Sequence, residues 1–185
     1  MRSLVIVTAA ALLALGCGSE PPAPTEFVAE FGHMGGGAGH APDHAPGNFE
    51  THLRGENERP NPVETTALGQ AKLQVSRDGS EIRFRLLVAR IHDPIMAHIH
   101  RGGVEEAGPI VVWLRPEGPP AEDPAGRFDG MYAAGTFGAE RLVGPLAGGD
   151  LSDLVAEMRA GNTYVNVHTT QNPGGEIRGQ IRPLN

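Results

Sequence analysis

Apolar and polar positions alternate along most of the chain after residue 48. Phe49, Thr51 and Leu53 interleave with Glu50, His52 and Arg54, the period-two pattern of a half-buried strand. Residues 66–77 read as a second strand with Leu73 and Val75 inward, and Asp78-Gly79-Ser80 follows as a turn. Residues 81–88 give the clearest alternation, with Ile82, Phe84, Leu86 and Val88 on one side and Glu81, Arg83 and Arg85 on the other. Two such runs joined by Asp-Gly predict a β-hairpin. Ile91-His92-Asp93-Pro94 turns the chain into a short strand over 96–100, and Gly102-Gly103 breaks it. The run 109–114 (PIVVWL) is a short apolar strand, 116–129 a proline-rich loop and 130–138 a weak strand.

Near the C-terminus the period changes from two to 3.6. Leu151, Leu154, Val155 and Met158 make one apolar stripe, with Asp150 as N-cap, Asp153 three residues on and Gly161 as the stop, so 150–160 is the one convincing helix. It leads into 161–182, GNTYVNVHTTQNPGGEIRGQIR. Here Val165 and Val167 alternate with Tyr164, Asn166 and His168, a turn follows at 171–175, and Ile177 and Ile181 alternate with Glu176, Arg178 and Gln180. The pattern predicts a hairpin with Asn166 opposite Arg178 and His168 opposite Glu176. It would place a histidine, a carboxylate and a guanidinium on one outward face, with Arg178 in an ion pair with Glu176. The inventory is about eight short strands and one short helix, which predicts an all-β fold: an antiparallel β-sandwich or a flattened barrel.

The first 47 residues have a different character. Residues 1–16 carry Arg2 and then an apolar run over 4–15, the layout of a signal peptide too short to span a bilayer. The run ends in Leu13-Ala14-Leu15-Gly16-Cys17, which resembles a bacterial lipobox and implies lipid on Cys17. The expected location is the bacterial cell envelope, lipid-anchored through Cys17 and, in a Gram-negative host, on the outer membrane. Acyl chains anchor by burying methylenes rather than by spanning. Residues 17–47 are rich in Gly, Pro and Ala and read as a disordered tether ahead of a domain over 48–185. The tether holds His33, Met34, His40 and His44, either polar spacers or a loose site for a late transition metal.

Composition narrows the function classes. A net charge of −7 without a basic run argues against nucleic-acid binding, and one cysteine leaves no intramolecular disulfide. Aromatic residues make up only 5%, so the core must come mainly from Val, Leu, Ile and Ala. The candidate chemistry lies in histidines. His98 and His100, two apart on a strand, leave the same face, and His168 has the matching parity on its own strand. If those strands are neighbours, the three imidazoles converge on one ion, with zinc or copper as the expected cofactor. Glu176 would then accept a hydrogen bond from the other nitrogen of His168, with Asn166 as a further outer partner, and His92 is an auxiliary candidate. The alternative is structural, with the rings bonded to backbone carbonyls or to Asn166, Thr169 or Glu176.

The stretch YVNVHTTQNPGGEIRGQI resembles the C-terminal signature of the CHRD domain family, named after chordin. The loop Gly55-Glu56-Asn57-Glu58-Arg59-Pro60 is similar to that family's GxNExPP element, although Arg59 and Asn61 interrupt the usual pattern. AHIH, a glycine-rich loop and then GPIVV complete the resemblance, which covers about 49–182. It implies a β-sandwich or barrel and extracellular interaction without a defined ligand. Three functions compete. One is a non-enzymatic, envelope-anchored module holding a metal at His98, His100 and His168. Another is a metal-free module that captures an envelope protein partner. The third is an enzyme, since His-x-His on a strand loosely resembles copper/zinc superoxide dismutase. The chain lacks that enzyme's second metal cluster and disulfide, and no nucleophile elbow, phosphate loop or catalytic cysteine is present, so a non-enzymatic module is expected.

Overall fold

The computed structural model describes residues 47–123 and 126–184. The strands are β1 (Asn48–Arg54), β2 (Leu68–Val75), β3 (Ile82–His92), β4 (Pro94–Arg101), β5 (Ile110–Arg115), β6 (Arg127–Phe137), β7 (Thr163–Thr169), β8 (Ile177–Gln180) and β9 (Arg182–Pro183), with the helix α1 (Leu151–Ala160) before β7. They form one antiparallel sheet in the order β5-β4-β7-β8-β1-β2-β3-β6, with β9 paired to β1. The sheet curls into a nearly closed barrel. Across the gap between its end strands, the Arg115 guanidinium on β5 donates to the Tyr132 carbonyl on β6 and lies over the Tyr132 ring. Closure of this kind leaves few strand edges open.

Local chemistry explains the elements. In the β2–β3 hairpin the Asp78 carboxylate accepts from the Ser76 and Ser80 hydroxyls and the Ser80 amide, which fixes the turn. These bonds hold the Asp78 carboxyl at about 2. Helix α1 begins with a reciprocal capping box between Asp150 and Asp153 and ends at Gly161, whose φ of 74° is the left-handed stop that glycine adopts freely. The weak strand expected over 130–138 is in fact an eleven-residue strand, β6. Its small residues Ala133, Ala134 and Gly135 blur the sequence pattern, but they let it lie close to β3, with the Phe84 ring near Gly135.

The inner faces supply the core. Leu53, Ile82, Leu86, Ile99, Val165, Val167, Ile177 and Ile181 are fully buried there, joined by the α1 stripe Leu151, Leu154, Val155 and Met158. The outer face of β4, β7 and β8 departs from expectation. Every residue of β7 is buried, including Tyr164, Asn166 and His168. Loop residues over-roof this side of the sheet: Glu58 after β1, Gly103, Val104 and Gly108 after β4, and Pro173 after β7 all bond to it. Among the described residues no helix is long and apolar enough to cross a membrane.

Candidate metal centre

Strands β4 and β7 are direct neighbours, with His98 opposite Asn166 and His100 opposite Tyr164. Ala97 and Ile99 point into the core, so His98 and His100, which alternate with them, point outward beneath the roof of loops. His98, His100 and His168 come together as the sequence parity requires. One nitrogen from each ring lies within 4.8 Å of the other two, and all three residues are buried. These three could hold a metal ion.

Their hydrogen bonds fix the tautomers. His100 Nδ1 lies 2.9 Å from the Gly108 carbonyl and His168 Nδ1 lies 3.0 Å from the Pro173 carbonyl. A carbonyl only accepts, so both rings carry their proton on Nδ1 and a bare lone pair on Nε2. His98 Nδ1 sits 3.0 Å from His168 Nε2 and donates to that lone pair, which leaves its own Nε2 bare as well. The Nε2 atoms of His98 and His100 are buried without a partner. Unmatched buried lone pairs cost free energy, and a cation would relieve that cost. Backbone carbonyls that orient ligating rings through the opposite nitrogen are a recurrent feature of metal sites, so the residues fit a metal ion.

The electrostatics point the same way. Burial pushes His98 down to about 3, helped by the neighbouring His168 and His100. Burial also pushes His100 down to about 4 against the opposing bond to Gly108, with His168 and Arg178 adding to the effect. His168 is lowered by burial, opposed by its bond to Pro173. Neutral imidazole is the ligating form. Aromatic rings wall the cluster: Trp113 meets His98 edge-on at 4.2 Å and Tyr164 stacks on His100 at 4.9 Å.

The outer partners differ from expectation. Glu176 does not reach a histidine: its carboxylate accepts from Thr65, Thr169 and Asn172. Its oxygens are taken up by those hydroxyls and that amide, and the Pro173 carbonyl takes the place expected of Glu176 at His168 Nδ1. The Asn172-Pro173-Gly174-Gly175 turn therefore does more than reverse the chain. Arg178 forms no ion pair with Glu176. Its guanidinium lies 3.5 Å over the Tyr164 ring and donates to the Gly103 carbonyl at 2.6 Å. Asn166 also bonds away from the rings, donating to Glu58 at 3.2 Å. His92 is exposed at the end of β3 and stands outside the cluster. The signal peptide, Cys17 and the tether residues His33, Met34, His40 and His44 lie outside the described residues.

Sequence reasoning overlooked Glu58, which is buried and pushed up to about 7 by desolvation, against the opposing bond from Asn166. Its signal was present in the Gly55–Pro60 element, where an acid lies between Asn57 and Arg59. Trp113, the single tryptophan, carried a weaker signal as part of an apolar strand.

A family model described as the CHRD domain matches residues 49–181. No curated protein and no solved structure is matched.

Proposed function

The chain belongs to the CHRD domain family, and from that premise we propose that its domain is a non-enzymatic module that binds a transition metal, zinc or copper, through His98, His100 and His168. The observation that carries this reading is the pair of buried, unpartnered Nε2 atoms on His98 and His100, beside a third ring oriented by a backbone carbonyl. A purely structural histidine cluster would satisfy those nitrogens. Three neutral imidazoles leave a coordination position open, which suits holding and handing on an ion. Elemental analysis after dialysis against zinc and copper tests it. One equivalent bound by the protein and lost in His98→Ala and His168→Ala supports the proposal, and equal retention in both variants rejects it.

The site works in the cell envelope on this reading, because residues 1–17 have the layout of a lipoprotein leader ending in Cys17. Lipid on Cys17 anchors the domain, and the tether gives it reach. Cys17→Ser tests the anchor: the protein should leave the membrane fraction, and an unchanged distribution would reject the lipid.

A further inference from the structure

Strand register brings one more donor to the cluster. Met96 lies directly across from His168 in the β4–β7 pair and two residues before His98, so the three share one face of the sheet. It is half-buried. Met96-x-His98-x-His100 thus sets a thioether and two imidazoles in a row along β4, with the third imidazole facing them from β7.

The charges around this face discriminate among ions. The donor cluster contains no carboxylate. The buried carboxyls nearby bond elsewhere, Glu58 to Asn166 and Glu176 to Thr65, Thr169 and Asn172. Arg178 lies 3.5 Å over the Tyr164 ring, which in turn stacks on His100 at 4.9 Å, so a fixed positive charge stands beside the cluster and repels any cation bound there. The cost of burying an ion rises with the square of its charge, so a dry site with neutral donors beside a guanidinium penalises a dication far more than a monocation. Thioether sulfur selects copper(I) over harder ions.

We propose that Met96 completes the three-histidine site and that the site selects copper(I) over zinc(II). The proposal rests on the three-histidine reading above and adds a fourth ligand and the identity of the ion.

The test uses the full chain with Cys17→Ser, His33→Ala, Met34→Ala, His40→Ala and His44→Ala, so that no sulfur or imidazole of the tether competes. Copper(I) is titrated anaerobically against a chromophoric copper(I) chelator, zinc(II) against a zinc indicator, and copper X-ray absorption reads the sulfur shell. Met96→Leu keeps the side-chain volume and removes the sulfur. The expected result is a copper–sulfur shell that Met96→Leu abolishes, with copper(I) affinity reduced about tenfold or more and zinc(II) affinity unchanged. Copper bound with no sulfur shell, or with the same affinity in Met96→Leu, overturns the assignment of Met96 and leaves the histidine site standing. Zinc(II) retained in preference to copper(I) overturns the selectivity. Binding that survives His168→Ala overturns the histidine reading beneath both.

Discussion

Acid should destabilise the metal-free domain steeply, and the histidine cluster sets the slope. Unfolding releases three imidazoles whose ordinary value is 6.5 but which the fold holds lower, His98 at about 3 and His100 at about 4. A depressed basic group contributes stability above its unfolded value and loses it as pH falls toward the folded one. Between pH 5 and 6 the unfolded chain therefore binds about two more protons at His98 and His100 than the folded chain, and His168 adds in the same direction. Each proton is worth about 1.4 kcal/mol per pH unit, so His98 and His100 alone give about 3 kcal/mol per unit. Glu58 acts in the opposite sense. The fold raises it from 4.5 to about 7, so in this window the folded state holds a proton that the unfolded state lacks. With His98 and His100 set against Glu58 the net difference is about one proton, or roughly 1.4 kcal/mol per pH unit, to which His168 adds, a sizeable share of a typical stability of about 5–15 kcal/mol. Urea midpoints measured from pH 6.5 to 5 in the presence of chelator read this directly. Glu58→Gln should steepen the slope by about one proton. A stability that is flat or rises as pH falls to 5 would refute the neutral, buried cluster.

Other perturbations test the supports of the site. In Gly108→Ala the new Cβ would sit 1.6 Å from the Arg101 carbonyl, so the loop must move and carry its carbonyl away from His100. A loss of about 1–3 kcal/mol in thermal unfolding is expected, together with weaker metal binding, and wild-type values for both would contradict the role of this loop. Arg178→Lys should cost about 2–4 kcal/mol, because an ammonium cannot reproduce the planar stack on Tyr164 together with the bond to Gly103. An unchanged melting curve would show that the stack contributes nothing.

Much of the barrel was legible in the sequence because alternation reports which side of a strand meets the core. The Asp78-Gly79 hairpin, the α1 stripe and its caps, and the Asn166–Arg178 register all follow from local rules. The convergence of His98, His100 and His168 was legible for the same reason, since parity survives whatever the loops do. Alternation says nothing about what covers the other face. Tyr164, Asn166 and His168 read as outward, and they are outward from the core, yet the Glu58, Gly108 and Pro173 loops close over them. Partners for Glu176 and Arg178 were misjudged on that account. Cross-strand pairing suggested an ion pair, whereas Arg178 bonds the Gly103 carbonyl of a loop and Glu176 bonds Thr65, Thr169 and Asn172. Strand β6 was under-read because packing against Phe84 selects small residues there, and small residues carry little hydrophobic signal.

The most direct test of the metal centre is an anomalous-scattering map from crystals of the protein loaded separately with zinc(II) and with copper. An ion ligated by Nε2 of His100 and His168 and by a ring nitrogen of His98, at about 2.0–2.1 Å for zinc, is the result expected. Ordered histidine rings with no anomalous peak among them, in crystals whose metal is all bound elsewhere, would contradict it.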